Sequence, residues 1–237
     1  MNEARLKCAG EHLVVVVHAA WLQVPAQGMK VFGEEMRPIP LQIVVKGYTK
    51  SKNDFLFDKR LTDHISTVVQ QYSHGKPSLV FCPSRLGSVA TASRLLQDSK
   101  SFSKESQYIS NESQKTSLAE AARSVRNSTL RECIRGGIGF HHAALEPSDR
   151  SVVESLFNQK ILKIVCTMST LAVGVNMPAY LVVIKGTKRY CGSSGGGYQD
   201  YDYSSCLQMV GRAGRPQFDQ AGMAVIMTEN CVRFVER

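Results

Sequence analysis

The sequence predicts an α/β domain built on a parallel β-sheet that helices cover on both faces. From residue 58 onward, short apolar runs alternate with segments in which apolar residues recur at helical spacing. The runs lack the alternation of apolar and polar residues that marks a strand with one solvated face, so they are typical of parallel strands buried on both faces. With 237 residues, of which 43% are hydrophobic, the chain is long enough to bury a full core.

Periodicity and the turn residues between segments place the individual elements. Strands are predicted at residues 41–47, 78–82, 161–166, 181–184 and 223–227, and a strand or a turn at 138–140. Helices are predicted at residues 58–72, 86–97, 148–158 and 204–214, with a short helix from Thr170 onward. An apolar run at residues 13–17 predicts one more strand. The prolines within residues 37–40 predict an extended linker, because proline restricts both its own backbone and that of the preceding residue.

Two stretches interrupt the alternation. Residues 99–135 are rich in Ser, Lys, Arg, Glu and Gln, and we expect an insertion with one helix at 118–134 and a solvated face. A nucleic-acid contact by Arg123, Arg126 and Arg131 is the alternative. Residues 191–202 contain three consecutive glycines and predict a flexible loop.

Composition restricts the class of protein. A formal net charge of +9 favours a polyanionic partner. The longest apolar run is too short to cross a bilayer and the chain does not open with a secretory signal, so we expect neither membrane association nor secretion. The seven cysteines include no Cys-x-x-Cys pair, which argues against a disulfide framework and a structural metal site. We expect a reducing compartment, with Cys82 and Cys166 as buried thiols.

The most specific pattern is Gln-x-x-Gly-Arg-x-Gly-Arg at residues 208–215. On a helix, Gln208, Arg212 and Arg215 fall on one face. A guanidinium group is always charged and forked, which suits it to phosphate oxygens. We expect both arginines to bind an anionic ligand near the carboxyl edge of the sheet, beside the turn at residues 167–176. A solvated arginine face is the alternative.

The same segment contains two glycines and a proline. Gly211 and Gly214 each cost about 1 kcal/mol relative to alanine in a helix interior. Their presence predicts that another surface approaches the backbone closely, and Pro216 is expected to end the helix. A merely solvated helix face would not need these residues.

A second pattern, at residues 166–179, begins where an apolar strand ends. Hydroxyl groups of Thr167, Ser169 and Thr170, together with backbone N–H groups at a helix start, form an anion site that carries no side-chain charge. Gly174 permits a close backbone approach. These residues predict contacts to nucleic-acid phosphates, and an ordinary strand-to-helix turn with a capping threonine is the alternative.

Two weaker patterns also follow strands. Ser84 is expected to cap a helix and Arg85 to reach a phosphate. His141 and His142 cannot both face one metal from a strand, because successive side chains point to opposite faces. We expect one of the two to be packed and the other to lie near the path of a nucleic acid.

The motifs that complete a nucleotide hydrolase are missing from the chain. The sequence contains neither the Gly-x-x-x-x-Gly-Lys-Ser/Thr cradle for phosphates nor an acidic motif of the Asp-Glu-Ala-Asp or Asp-Glu-x-His type that would hold magnesium. It therefore carries arginines that could complete an ATPase site but lacks the cradle, the lysine and the metal ligand.

With these four patterns in this order, the chain resembles the superfamily-two helicases. It is most similar to the Ski-like branch and, within it, to the Mer-type meiotic crossover DNA helicases, which residues 32–38, 52–57 and 211–219 also resemble. The resemblance implies a remnant of a first RecA-like lobe at residues 1–36 and a linker or hairpin at 37–57. Residues 58–237 would be the second RecA-like lobe, with the insertion at 99–135.

The resemblance also implies roles for single residues. Arg212 and Arg215 would contact the γ-phosphate of an ATP, with its Mg²⁺, that is held mainly by the first lobe, and Gln208 would order the same interface. Further contacts on the nucleotide side would come from Gly174, Asn176 and Gly211. The strand of nucleic acid would lie along Arg85, His142, Thr167, Ser169 and Thr170.

The family implies an ATP-dependent 3′–5′ helicase that acts on single-stranded or branched DNA in the nucleus. This chain lacks most of the first lobe, and the Ser-Ala-Thr element expected after residues 14–17 is missing, so we expect no ATP hydrolysis by the chain alone. Ala144 also stands where the family usually has glycine. An RNA helicase of the same branch and a non-catalytic nucleic-acid-binding module are the alternatives.

Overall fold

A computed structural model describes residues 37, 39–101, 106–171, 175, 177–215 and 218–230. Its main sheet is made of the strands β1 (Leu41–Tyr48), β2 (Ser78–Phe81), β3 (Ile138–His141), β4 (Ile164–Thr167), β5 (Leu181–Lys185) and β8 (Gly222–Glu229). Their order is β1-β8-β5-β2-β4-β3, and every neighbouring pair is parallel. The predicted parallel sheet is confirmed.

Six described helices connect these strands. They are α1 (Asp54–Ser73), α2 (Arg85–Ser101), α3 (Glu112–Ser124), α4 (Ser128–Arg135), α5 (Pro147–Asn158) and α6 (Tyr203–Val210). Right-handed crossovers place α1 to α4 on one face and α5 and α6 on the other. Accordingly, α2 packs against α1 and α4, whereas α5 packs against β3 and β4, and α6 against β5. This arrangement confirms helices on both faces.

The core lies between the sheet and these helices. Every residue of β2, β4 and β5 is buried, in agreement with their unbroken apolar runs. Cys82 and Cys166 are buried free thiols, as predicted. The start of α1 is fixed by a side-chain cap, because Asn53 accepts a hydrogen bond from the Leu56 amide at 2.8 Å. Among the helices of the described residues, none is both long and apolar enough to cross a membrane.

The helix predicted at residues 118–134 is in fact two helices. Val125 is extended with ψ 127°, and Asn127 caps α4 by accepting a hydrogen bond from the Leu130 amide at 2.9 Å. The carboxylate of Asp149 accepts the amides of Arg126 and Asn127 at 2.9 and 3.0 Å, which fixes the break. The prediction missed the capping Asn-Ser pair. The apolar residues of both helices belong to the main core: Leu118, Ala122, Leu130, Cys133 and Ile134.

The prediction of a flexible loop over residues 191–202 is wrong for residues 198–200, which form a strand. The strands β6 (Lys188–Tyr190) and β7 (Tyr198–Asp200) pair antiparallel, and the rings of Tyr190 and Tyr198 lie 5.2 Å apart. The glycines form the turn of this hairpin. The strand predicted at residues 13–17 lies outside the described residues.

Candidate functional site

Three polar segments lie at the carboxyl edge of the sheet because β2, β3 and β4 end there side by side. After β2, the Ser84 hydroxyl accepts a hydrogen bond from the Gly87 amide at 3.0 Å, which confirms the predicted cap. This cap starts α2 with Arg85 as its first residue, and Arg85 is exposed. The edge therefore presents a cation above the ends of the central strands.

The histidine pair after β3 has two different environments. His141 is buried, and its Nε2 lies 2.7 Å from Glu154 Oε1. His142 is partly exposed, with its ring stacked 5.8 Å from that of Phe140. Burial lowers the pKa of His142, and the nearby positive charge of Arg85 lowers it further. The prediction that one histidine is packed is confirmed.

The hydroxyl residues at and after the end of β4 also differ in their exposure. Thr167 is buried, and its hydroxyl donates a hydrogen bond to the His141 carbonyl oxygen at 2.9 Å. That donor ties the ends of β3 and β4 together and is not presented to a ligand. Ser169 is partly exposed and Thr170 is exposed. Gly174 and Asn176 lie outside the described residues.

The arginine segment is not the helix that its spacing predicts. Helix α6 ends at Val210, with the Gly211 amide bonded to the Leu207 carbonyl at 2.7 Å, and Gly214 has a φ of +84°. Only glycine adopts this left-handed backbone readily, and a helix cannot contain it. The prediction that Gln208, Arg212 and Arg215 share one helix face is therefore wrong. Residues 211–215 are called the arginine loop below.

The arginine loop also lies at the edge opposite to the predicted one. The Ala179 amide donates to the Arg212 carbonyl at 3.0 Å, and the Gly214 amide donates to the Ala179 carbonyl at 2.7 Å, just before β5 begins. Because a crossover helix runs antiparallel to the strands, α6 brings its carboxyl end to the amino edge of the sheet. The loop nevertheless contacts the end of the 166–179 segment, through Ala179.

Gly214 permits the close approach that was predicted, but the approaching surface belongs to the same chain. A Cβ atom on Gly214 would lie 3.0 Å from Cγ2 of Ile39 and 3.3 Å from Cα of Gly222. A Cβ atom on Gly222 would lie 2.7 Å from the Gly214 nitrogen. The arginine loop is thus packed tightly between the start of β8 and the residue that precedes β1 by two positions.

Arg215 is held by Asp219, a partner that was not predicted from the sequence. Its Nε and Nη2 atoms donate to the two carboxylate oxygens of Asp219 at 2.7 and 2.8 Å, and its backbone amide donates to the same carboxylate at 3.1 Å. The Asp219 side chain is fully buried, and Lys76 Nζ lies 3.3 Å from it. Although burial acts to raise the pKa of Asp219, the hydrogen bonds and charge of Arg215 outweigh it and lower that pKa.

The rest of the arginine segment is more accessible. Gln208 and Gly211 are exposed, and Arg212 is partly exposed. Asp219 is the only carboxylate in residues 208–219, and two cations already bind it. The guanidinium groups of this segment suit the oxygens of a phosphate, and its one carboxylate is already engaged by two cations.

A cavity of about 180 Å³ lies at the carboxyl ends of β5 and β8. Inside it, Lys185 is fully buried, with Nζ 2.9 Å from Asp58 Oδ1 and 2.7 Å from Thr62 Oγ1. Lys188 Nζ lies 2.8 Å from Asp54 Oδ1. The strand predicted at residues 181–184 gave no sign of these ion pairs, which join α1 to β5 and to the segment that begins at Lys188.

Comparison with known proteins identifies the domain. Residues 110–217 match the helicase conserved C-terminal domain. The chain is 45% identical to the ATP-dependent DNA helicase homolog MER3 of Arabidopsis thaliana, over 89% of this chain and 18% of that protein. It is 46% identical to the probable ATP-dependent DNA helicase HFM1 of Homo sapiens, over 91% of this chain and 15% of that protein.

The similarity extends to a protein named for RNA. The chain is 37% identical to the DExH-box ATP-dependent RNA helicase DExH14 of Arabidopsis thaliana, over 88% of this chain and 10% of that protein. The chain spans less than a fifth of the length of each of these three relatives. The matched domain, the RecA-like sheet and the higher identity to the Mer-type proteins agree with one another. The chain carries a helicase conserved C-terminal domain on a parallel sheet of the RecA-like type, and over most of its length it is similar to Mer-type members of the superfamily-two helicases.

Proposed function

We propose that this chain is the C-terminal lobe of an ATP-dependent 3′–5′ DNA helicase that works in the nucleus during meiotic recombination. The observation that carries the proposal is the arrangement of two polar surfaces at opposite edges of one sheet. Arg85, His142 and Thr170 lie at the carboxyl edge, and the arginine loop lies at the amino edge. The relatives named above as DNA helicases support the choice of activity and substrate.

On this proposal, the arginine loop serves the nucleotide. Arg212 contacts the γ-phosphate of an ATP that another part of the protein holds, and neutralises charge that develops on the phosphoryl oxygens. Arg215 acts beside it, with its guanidinium oriented by Asp219. The exposed Gln208 and Gly211 line the same surface. Gly174 and Asn176 are assigned to the nucleotide side from the family pattern alone.

The carboxyl edge serves the nucleic acid. Arg85, His142, Ser169 and Thr170 contact the backbone of one strand, without reading its sequence, because phosphate contacts carry no base code. Thr167 acts indirectly, since its buried hydroxyl holds the His141 carbonyl and so fixes the position of the histidine pair. The charge of +9 adds a non-specific, salt-dependent attraction.

The same surfaces suit RNA, and the similarity to an RNA helicase favours that second candidate. Fluorescence anisotropy of the 237-residue chain with a labelled deoxythymidine oligonucleotide, competed by the matching uridine oligonucleotide, separates the two. We expect the DNA oligonucleotide to bind more tightly. Tighter binding of the RNA would favour an RNA helicase.

Catalysis is tested in a chimera in which this chain replaces the region it matches in the full-length Arabidopsis MER3 relative. We expect single-stranded DNA to stimulate ATP hydrolysis by this chimera. A folded chimera that binds DNA but does not hydrolyse ATP would favour the non-catalytic nucleic-acid-binding module.

A further inference from the structure

Arg37 attaches the segment before β1 to the arginine loop. Its Nε donates to the Ile39 carbonyl at 2.9 Å, and its Nη2 donates to the Ala213 carbonyl at 2.9 Å, across 176 residues of sequence. The side chain is partly buried. A single guanidinium group therefore joins two backbone segments that are distant in sequence, using the fork of donors that only arginine provides.

The Ala213 carbonyl needs a hydrogen-bond donor because the residue is buried. Ala213 is buried, so its carbonyl oxygen needs a partner from within the protein. It lies between Arg212 and Arg215, at the centre of the arginine loop. The carbonyl of the preceding residue, Arg212, accepts the Ala179 amide instead. Arg37 thus fixes the middle of the loop, while Ala179 fixes its start.

Packing reinforces this attachment. Ile39 is buried against Gly214, where a Cβ atom would lie only 3.0 Å from the isoleucine side chain. The Pro40 carbonyl then accepts the Gly222 amide at 2.7 Å, which begins the pairing of β1 with β8. Residues 37–40 and the arginine loop are consequently held together by hydrogen bonds and by a close contact that a side chain on Gly214 would crowd.

We propose that Arg37 is a positioning residue that clamps the arginine loop to the segment entering β1, so that this segment and Arg212 move together. The proposal rests on the proposed function, in which the arginine loop contacts ATP, and on the expectation that the chain enters this lobe from the first lobe through the segment before β1. Displacement of the linker would then be transmitted through Arg37 to the backbone between the two arginines. Arg37 touches neither ATP nor the nucleic acid in this scheme.

The clamp itself is tested on the 237-residue chain by hydrogen exchange. We expect Arg37→Ala to speed exchange of the Gly214 amide by about tenfold, because a hydrogen bond from a charged donor is lost. Exchange of the Val80 amide, in the central strand, should not change. Arg37→Lys should give an intermediate rate, since a lysine has no fork to span both carbonyls. The matched control is Arg60→Ala, which removes an exposed guanidinium bonded to the Thr49 carbonyl at 3.1 Å.

The positioning role is tested in the chimera with the Arabidopsis relative. We expect Arg37→Ala to lower kcat for ATP hydrolysis by about tenfold with little change in KM for ATP, because a displaced arginine loop loses an interaction made in the transition state. Arg37→Lys should recover part of kcat, and Arg60→Ala should match the parent.

Each outcome decides a different claim. Faster exchange with an unchanged kcat would overturn the positioning role and leave Arg37 a structural contact. Unchanged exchange of the Gly214 amide would overturn the clamp. A parent chimera without ATP hydrolysis would overturn the proposed function, and the catalytic part of this proposal with it, while the exchange measurement would still decide whether the clamp exists.

Discussion

The guanidinium group of Arg215 and the carboxylate of Asp219 form a forked ion pair, with donor–acceptor distances of 2.7 and 2.8 Å. The two side chains are 10% and 0% exposed, so the pair is largely removed from water. Because Lys76 binds the same carboxylate, Asp219 keeps a counter-ion even if Arg215 moves. The pair therefore orients the Arg215 guanidinium, and Lys76 would still pair with Asp219 if that guanidinium moved toward a ligand.

Removal of Asp219 should destabilise the fold strongly. Asp219→Ala leaves the buried Arg215 without its partner, and we expect the free energy of unfolding to fall by about 3 kcal/mol. The matched control is Asp63→Ala, which breaks the exposed pair with Arg94 and should cost less than about 1 kcal/mol. Urea denaturation of the chain gives both values. Equal effects of the two substitutions would show that the Arg215 pair is not buried in solution.

The packing around Gly214 predicts a difference between two glycines that share the same backbone conformation. Gly75→Ala should cost about 1 kcal/mol, because φ is +72° and a Cβ atom there meets open space. Gly214→Ala carries the same backbone cost at φ +84° and adds the contacts with Ile39 and Gly222, for about 1 to 3 kcal/mol more. Urea denaturation measures the difference. If the two variants are equally stable, the loop does not pack as described.

His142 should titrate below its ordinary pKa of 6.5, since burial and the charge of Arg85 both disfavour its protonated form. Arg85→Ala removes the second cause only, so the pKa should rise but stay below 6.5. Because the pKa of His142 is lower in the folded than in the unfolded chain, the unfolded chain takes up the proton first as the pH falls. The contribution of His142 to the free energy of unfolding is therefore fully present above pH 6.5 and is lost at lower pH. Proton NMR of the imidazole follows the titration, and an unchanged pKa in the variant would separate His142 from Arg85.

Thr167, which ends β4, and Thr170, which follows it, should respond differently to the loss of a hydroxyl. Thr167→Val leaves the buried His141 carbonyl without its donor and should cost about 1 to 3 kcal/mol in stability. Thr170→Val should leave stability nearly unchanged, because Thr170 is exposed, and should weaken binding of a deoxythymidine oligonucleotide. Denaturation and anisotropy on both variants check this. If Thr167→Val is stable and is the variant that binds the oligonucleotide more weakly, while Thr170→Val binds normally, then Thr167 and not Thr170 contacts the nucleic acid.

Buried parallel strands could be predicted closely because burial on both faces leaves a plain signature in the sequence. Residues 78–82 and 181–184 were predicted, and Ser78–Phe81 and Leu181–Lys185 were found. The predicted strand ends before Lys185, and a lysine is rarely buried without a partner. Here Asp58, contributed by a helix that precedes the strand by more than a hundred residues, neutralises it.

The arginine loop was harder to predict because its motif has helical spacing without helical structure. The two glycines were interpreted as room for another surface, whereas Gly214 adopts a backbone that a helix excludes. Asp219 stands four residues after Arg215, a spacing that could have indicated the pair. The role of Arg37 could not be predicted from its neighbours in the sequence, because its partner Ala213 lies on a distant segment of the chain.

The central claim is that Arg212 acts on the triphosphate, and turnover of the chimera tests it most directly. In the chimera that carries this chain, Arg212→Ala should lower kcat for DNA-stimulated ATP hydrolysis by about 10³-fold or more. Arg212→Lys should remain severely impaired because an ammonium group lacks the planar fork, and both variants should unfold at the same denaturant concentration as the parent. Hydrolysis by Arg212→Ala at the parental rate would contradict the account.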